Sequence, residues 1–215
     1  MSNLEVLAKV KGEGICAIIR KLTPEQAIQT TAALIEGGVS VIEVAFNTAG
    51  AAQIISELKQ TFGEKITIGA GTVLDSETAR IAILAGANFI LSPILNLDVL
   101  KICQKYNVLA IPGVYTPTEI LSAWESGARM VKIFPAVTLG PTFIRQIKGP
   151  LEQLDIMAVG GINAENTAEF LQAGASCIGI GSEIAGQKLV ETGGYQAITA
   201  SAKQYKIIID EIKNK

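Results

Sequence analysis

Two residues of opposite charge, Glu43 and Lys132, stand in short apolar runs that are typical of β-strands. A lysine that loses its proton in a dry pocket can attack a ketone carbonyl, and a nearby carboxylate can move the protons of that reaction. Because burying an unpaired charge is costly, we expect the two groups to interact directly or through water. A structural ion pair is the alternative, although such pairs are often no more stabilising than apolar side chains. The pair therefore predicts covalent catalysis by lysine.

The elements that must position this pair alternate between strand and helix. Eight runs rich in β-branched residues predict strands at 15–19, 41–46, 66–70, 89–92, 108–112, 130–134, 156–159 and 177–181. Strands that are apolar throughout are buried on both faces, and alternation with helices favours right-handed βαβ units and a parallel sheet. Eight such units predict an α/β fold of the (β/α)8 TIM barrel type.

An internal repeat supports the barrel and orients its strands. Four helix ends share a glycine that a strand follows: Gly38, Gly86, Gly127 and Gly174. Counting four residues on gives a β-branched row that we expect to face the helices: Ile42, Ile90, Val131 and Ile178. Counting five gives the row that must face into the barrel, because strand side chains alternate: Glu43, Leu91, Lys132 and Gly179. Two charges and the open space beside a glycine are thus predicted inside the barrel.

One helix has clear end signals. Thr23 and Gln26 predict a capping box with Pro24 at the first helical position, and Gly37-Gly38 ends the helix. We expect its apolar face to consist of Ile28, Ala32 and Ile35.

Composition limits the available chemistry. The chain has 215 residues, is 49% hydrophobic and contains no histidine. This length and apolar content predict one domain, residues 1–215, a barrel with a short N-terminal helix. The lack of histidine excludes Ser-His-Asp and Cys-His nucleophiles and His-ligated metals, and we expect no metal and no cofactor. The 18 basic and 20 acidic residues form no block of like charge, so we expect small-molecule partners and no nucleic acid.

The sequence also gives expectations for location. Glu5 and Lys9 interrupt the stretch where a secretory leader needs an apolar core. The longest uncharged run, between Arg80 and Asp98, is shorter than the ~20 apolar residues of a spanning helix. Three widely spaced cysteines form no CxxC motif or disulfide framework. We expect a cytoplasmic protein without membrane association.

Further candidates follow the strands, at the rim where barrel active sites form. Arg20 ends the first strand and Thr72 follows the third, offering a cation and a hydroxyl. Glycines follow the last two strands, at Gly160-Gly161 and Gly181-Ser182, where backbone amides suit a phosphate. The alternative for the glycine pairs is that they form tight turns without binding a ligand, and the alternative for Arg20 is that it pairs with an acidic residue of a loop.

Five motifs together resemble a known family. They are GVSVIEV at 38–44, IGAGTV at 68–73, Ser92-Pro93, Ile111-Pro112-Gly113 and VKIFPA at 131–136. As a set they resemble the 2-keto-3-deoxy-6-phosphogluconate / 4-hydroxy-2-oxoglutarate (KDPG/KHG) aldolases over nearly the whole chain.

The resemblance implies a class I aldolase, a carbon–carbon lyase without a cofactor. Lys132 would form a Schiff base with the 2-keto group of a 2-keto-3-deoxy-6-phosphogluconate-type sugar acid, and Glu43 would be the acid/base. Cleavage between C3 and C4 would release pyruvate and glyceraldehyde 3-phosphate. The family is usually a homotrimer, and the resemblance implies the same assembly here.

The resemblance also implies binding roles. Arg20 and Thr72 would lie near the pyruvyl carboxylate, and Pro93 and Phe134 would shape the pocket. A further set would hold the phosphate: Gly160, Gly161, Gly181 and Ser182.

The chain departs from the family pattern at two places. Asn47, a substrate-binding position, stands where many members have arginine, and Ala158-Val159 stands where they have Pro-Thr. These residues look more like the branch that acts on 2-keto-3-deoxy-6-phosphogalactonate, which is an alternative substrate. Alternatives from another class are a phosphosugar isomerase or epimerase and a silent sugar-phosphate-binding barrel.

Overall fold

The computed structural model describes residues 1–191 and 194–213. The strands are β1 (Ile15–Ile19), β2 (Val41–Ala45), β3 (Thr67–Gly71), β4 (Phe89–Leu91), β5 (Leu109–Ile111), β6 (Gly113–Val114), β7 (Met130–Ile133), β8 (Asp155–Val159) and β9 (Cys177–Ile180). The helices are α1 (Asn3–Glu13), α2 (Pro24–Glu36), α3 (Ala51–Phe62), α4 (Ser76–Leu84), α5 (Leu97–Lys105), α6 (Pro117–Glu125), α7 (Ala136–Lys148), α8 (Thr167–Gln172), α9 (Ser182–Ala185), α10 (Gln187–Glu191) and α11 (Tyr195–Lys213). A 3-10 turn covers Gly63–Lys65.

All paired strands are parallel, in the order β5-β4-β3-β2-β1-β9-β8-β7-β6. Only Pro112 separates β5 from β6. Ile111 pairs with Leu91 of β4, and Gly113 pairs with Lys132 of β7. The Lys132 N–H also donates to the Pro112 carbonyl at 2.8 Å. β5 and β6 therefore form one barrel strand that joins the two ends of the sheet, and the predicted (β/α)8 barrel is confirmed.

All eight predicted strands match the structure to within one residue at each end, the fifth of them as β5. The additional strand β6 was not predicted. Proline cannot donate to the ladder, so Pro112 interrupts the hydrogen bonding, but Gly113–Val114 continues the same strand against its next neighbour.

The repeated glycines have a conformational reason. All four have a left-handed backbone, which glycine adopts at little cost and which commonly ends helices. Their φ values are 88° at Gly38, 102° at Gly86, 91° at Gly127 and 109° at Gly174. The repeat therefore marks equivalent helix-to-strand turns, and the strand residues after it can be compared position by position.

That comparison predicted the strand orientation correctly. The expected outer row lies in the core between strands and helices: Ile42, Ile90, Val131 and Ile178. Leu91, from the expected inner row, belongs to a second apolar cluster inside the barrel. Val6 and Val10 of α1 join this inner cluster, so the N-terminal helix packs against the barrel interior.

The buried face of α2 agrees with the expectation only in part, since Ile28 and Ile35 are half-buried and pack against the core. The capping box of Thr23 and Gln26 is present, but Ala32 is exposed. The residues that α2 buries are Ala27, Thr30, Thr31, Ala33 and Leu34. The helix packs between α3 and α11 as well as against the barrel, and Thr199 of α11 donates its hydroxyl to the Ala33 carbonyl at 3.0 Å. Neighbouring helices, rather than the largest side chains, determine which face is inside.

The described residues contain neither a membrane-spanning helix nor a cluster of metal ligands. No helix within 1–191 and 194–213 is both long and apolar enough to cross a bilayer. In the same residues, no group of three or more His, Cys, Asp or Glu side chains could hold a metal ion.

Candidate active site

Lys132 lies on β7, whose neighbouring residues Val131 and Ile133 face the outer core. By alternation its side chain enters the barrel, where it is only 5% exposed. Its Nζ lies 4.8 Å from the ring centroid of Phe134, within the range of a cation–π contact. The Phe134 ring is 37% exposed and lines a cavity. The amine therefore lies against a residue of the cavity wall.

Glu43 lies on β2 and is 1% exposed. Its Oε2 is buried without a hydrogen-bond partner. Burial raises the pKa of the Glu43 carboxyl, and the positive charges of Lys132 and Arg20 partly oppose that shift. Glu43 therefore holds a proton more readily than an exposed glutamate, which suits a group that accepts and returns protons near neutral pH.

Direct ionic contact between the two groups, one of the expected arrangements, is not formed. The ion pairs within the described residues lie elsewhere, and none joins Glu43 to Lys132. Across the same described residues, these two are the only charged side chains that are buried. An ion pair that only fills space needs direct contact, so this geometry disfavours the structural interpretation.

A cavity of about 500 Å³ opens where β1, β8 and β9 end. It holds six of the residues predicted to bind substrate or phosphate: Arg20, Phe134, Gly160, Gly161, Gly181 and Ser182. Gly179 and Val159 also line it, but the space beside Gly179 is not open as expected. A Cβ at Gly179 would lie 2.8 Å from Cγ2 of Val159.

Lys132 and Glu43 are not part of this lining. Three other predicted residues, Asn47, Thr72 and Pro93, also lie outside it and follow β2, β3 and β4. Asn47 is exposed, and the other two are half-buried. Thr72 has a left-handed φ of 58°, which is unusual for a β-branched residue. The Pro93 backbone packs on Gly113, where a Cβ would come within 2.2 Å of its carbonyl carbon. The predicted residues therefore divide between two sides of the rim.

The loop after β8 is held in one shape by its own side chains. The Asn163 N–H donates to Oδ1 of Asn166 at 2.9 Å, and the Asn166 N–H donates to Oδ1 of Asn163 at 3.0 Å. Nδ2 of Asn166 also donates to the Gly161 carbonyl at 2.9 Å. Gly160 and Gly161 have φ values of 96° and 75°. A loop fixed in this way presents backbone amides to the cavity without a rearrangement.

Two charged residues of the cavity, Lys21 and Glu183, were not predicted from the sequence. Lys21 has a left-handed φ of 57°, and its N–H donates to Oγ1 of Thr48 at 2.9 Å. Lys21 could have been predicted as a rim residue because it directly follows Arg20 in the sequence. Glu183 adds one acidic side chain to the same lining as Arg20 and Lys21.

The sequence also matches a known family model, described as KDPG and KHG aldolase, over residues 6–201. The chain belongs to the KDPG and KHG aldolase family. Members are aldolases, so the protein is a carbon–carbon lyase of the aldehyde-lyase class.

Curated relatives and a solved structure agree with this family. The chain is 34% identical over 195 residues to the 2-dehydro-3-deoxy-6-phosphogalactonate aldolase of Escherichia coli K12, covering 89% of this chain and 94% of that protein. It is 31% identical over 210 residues to the 2-dehydro-3-deoxy-phosphogluconate aldolase of Haemophilus influenzae, covering 97% of each. The KDPG aldolase structure from Legionella pneumophila, with pyruvate captured as a covalent carbinolamine, aligns with a TM-score of 0.86 at 30% identity and covers 92% of this chain and 96% of that one.

The cysteines of this KDPG/KHG-type aldolase lie away from solvent. Cys16, Cys103 and Cys177 are free and buried. Burial raises the pKa of the Cys103 thiol to about 12 and also raises the pKa values of the other two thiols. Such thiols behave as small apolar side chains rather than nucleophiles.

Proposed function

We propose that the protein is a Schiff-base aldolase that cleaves a 2-keto-3-deoxy-6-phospho sugar acid to pyruvate and glyceraldehyde 3-phosphate. One observation carries this proposal. Lys132 and Glu43 are the two buried charges of the described residues, and they lie inside the barrel without an ion pair between them. The covalent pyruvate complex of the Legionella pneumophila relative supports the same chemistry.

In the proposed reaction, Nζ of Lys132 attacks C2 of the substrate and forms a carbinolamine. Loss of the former keto oxygen as water leaves an imine between Nζ and C2. Glu43 then takes the proton of the C4 hydroxyl, directly or through a water molecule. The C3–C4 bond breaks, the aldehyde leaves, and its bonding electrons enter the enamine. Glu43 returns the proton to C3, and hydrolysis of the imine releases pyruvate.

The two ends of the substrate need different partners. We assign Arg20 and Thr72 to the carboxylate next to C2, and Pro93 and Phe134 to the walls of the pocket. We assign the phosphate to the glycine-rich loops after β8 and β9, with contacts from Gly160, Gly161, Gly181 and Ser182. The cavity of about 500 Å³ at these loops supports this assignment because its lining combines glycine backbone with the cation of Lys21.

The sugar acid itself has two candidates, the gluconate and the galactonate forms, which differ in the configuration of one hydroxyl. Asn47 and Val159 favour the galactonate form, since they replace an arginine and a threonine that many family members carry. A single hydrogen-bond partner can decide such a choice. The 6-phosphogalactonate aldolase name of the Escherichia coli relative supports the same candidate.

Trapping with pyruvate and borohydride tests the proposal. Reduction converts an imine into a stable amine, so intact-protein mass spectrometry should show one pyruvate-derived adduct, and peptide mapping should place it on Lys132. Comparing cleavage rates of the two epimers then identifies the sugar acid. A folded protein that forms no adduct contradicts the proposal and favours an isomerase, an epimerase or a silent sugar-phosphate-binding barrel.

The left-handed backbone of Thr72 should make the folded protein less stable. Replacing Thr72 by Gly removes the left-handed strain of a β-branched residue, whose φ is 58°, and is expected to stabilise the fold by roughly 0.5–1 kcal/mol. The same change removes the hydroxyl assigned to the carboxylate, so KM should rise about 10-fold or more. Urea unfolding and steady-state kinetics measure the two effects.

Asn107 gives the matched control for Thr72. It also has a left-handed φ, 55°, but it lies in the turn between α5 and β5, away from the rim. Asn107→Gly should leave KM unchanged and give a smaller gain in stability, because asparagine tolerates this conformation. An unchanged KM in Thr72→Gly would remove Thr72 from the proposed site.

We also propose that the protein forms a homotrimer. Large apolar side chains are exposed on and before α4 and at or before the start of α5: Leu74, Ile81, Leu84, Ile94 and Leu97. The Asn96 side chain donates to the Leu74 carbonyl at 2.9 Å and so holds the two segments together. Exposed apolar side chains of this kind suit an interface between subunits. The molar mass from light scattering should be three times that of the chain, and a monomeric mass would contradict this assembly.

A further inference from the structure

The third strand carries two glycines that face the barrel interior. Gly69 and Gly71 alternate on β3 with Ala70, which packs in the outer core. The interior space that these glycines leave is occupied by side chains from the two neighbouring strands. The atoms that a hypothetical Cβ on each glycine would meet identify the side chain that occupies the space beside it.

At Gly69 the occupant is apolar. A Cβ there would lie 2.1 Å from Cε2 of Phe89, a fully buried ring of β4. Gly69 is therefore needed for packing.

At Gly71 the occupant is the Glu43 carboxyl group. A Cβ there would lie 1.6 Å from Oε1 of Glu43, 2.1 Å from its Cδ and 2.7 Å from its Cγ. These distances are far inside van der Waals contact. Gly71 is absent from the glycines with a left-handed backbone, so its own conformation does not require glycine. Glycine is required here because the Glu43 side chain occupies the space that a Cβ would fill.

The backbone of Gly71 has little freedom to withdraw from Glu43. Gly71 pairs with Ala45 of β2 in a ladder that runs the whole length of both strands. Its carbonyl also accepts a hydrogen bond from the Phe46 N–H at 2.7 Å. A methyl group at Gly71 would therefore displace the carboxyl of Glu43 rather than the strand.

We infer that Gly71 is a positioning residue, whose missing side chain lets the Glu43 carboxyl lie against β3 at the place where it serves the imine on Lys132. The inference rests on the proposed function. It assigns to the glycine before Thr72 a part in proton transfer and no part in forming the covalent bond. A shift of about 1 Å in a catalytic group can cost as much as about 10²-fold in rate.

The test separates the two halves of the reaction in Gly71→Ala. Exchange of the pyruvate methyl protons for deuterium, followed by NMR, reports proton transfer to and from C3. Borohydride trapping of pyruvate reports imine formation. We expect the exchange rate and kcat to fall by roughly 10–10²-fold, whereas KM and the yield of the Lys132 adduct stay close to those of the parent protein.

Gly69→Ala is the matched control. It adds the same methyl group to the same face of β3 but meets Phe89, so it should lower the urea midpoint and leave exchange per folded molecule near the parent value. Stability gives a second readout in case Gly71→Ala folds poorly. The Gly71→Ala change should lower the midpoint less when Glu43→Ala is also present, because the group it collides with has been removed.

Two results overturn the inference. One is an unchanged exchange rate in folded Gly71→Ala, and the other is an equal loss of stability with and without Glu43. Failure of the proposed function looks different, since Glu43→Gln would then retain full exchange or the parent protein would form no adduct.

Discussion

Replacing Lys132 by Met is expected to abolish cleavage and to remove the pyruvate adduct that borohydride traps. The substitution removes the amine that forms the imine and keeps an unbranched side chain of similar length. Because Met fills a buried apolar space well, the barrel should remain folded. Loss of a buried charge without an ion pair should also leave stability equal or higher. Steady-state cleavage, adduct mass and urea unfolding test these three expectations.

Lys101→Met is the matched control for this experiment. Lys101 is an exposed lysine of α5, 73% exposed and paired with Asp98 at 2.9 Å. It should keep full activity and a full yield of adduct. Cleavage at the parent rate in folded Lys132→Met would reject the Schiff-base mechanism.

Glu43→Gln is expected to slow cleavage by roughly 10²–10⁴-fold, the usual contribution of a general acid/base. The amide has nearly the same shape but cannot accept and return a proton. Imine formation on Lys132 should still occur, so the adduct should form while exchange of the pyruvate methyl protons is lost. Single-turnover cleavage and NMR exchange measure the two steps. Normal exchange in this variant would show that another group moves the proton.

The same variant should reveal the raised pKa of Glu43 through stability. Burial raises the pKa of the folded-state carboxyl above its unfolded value of about 4.3, so the folded state binds the proton more tightly. The resulting stability is present below the unfolded pKa and is lost as pH rises through the folded pKa. Glu43→Gln should therefore be more stable than the parent at about pH 8 and lose that advantage near about pH 4. Urea midpoints across this range test the sign, and a constant difference would contradict it.

Much of the barrel follows from local sequence alone. The glycine repeat fixed the point from which strand residues could be counted, and strict alternation then separated Ile42 from Glu43 and Val131 from Lys132. Side-chain direction in a strand depends only on position along it, so the sequence sufficed. The lack of histidine likewise excluded imidazole chemistry without any structure.

Other features depended on contacts between distant segments. The face that α2 buries has helical spacing, but it carries Thr30 and Thr31, whose burial follows from tertiary packing and not from their polarity. The continuation of the fifth barrel strand past Pro112 follows from its pairing with β7. In both cases local preference was outweighed by packing partners far along the chain.

The site residues also divide into features that the sequence predicts and features that depend on tertiary contacts. Sequence predicted which residues lie at the rim, because every strand of a parallel barrel ends on the same side. Only the tertiary structure decided which of them share a cavity, since Arg20 joins the loops after β8 and β9 while Asn47, Thr72 and Pro93 follow the strands on the other side. The tertiary structure also placed the Glu43 carboxyl of β2 against Gly71 of the neighbouring strand β3. Such contacts depend on strand register and barrel closure, which join residues that are far apart in the sequence.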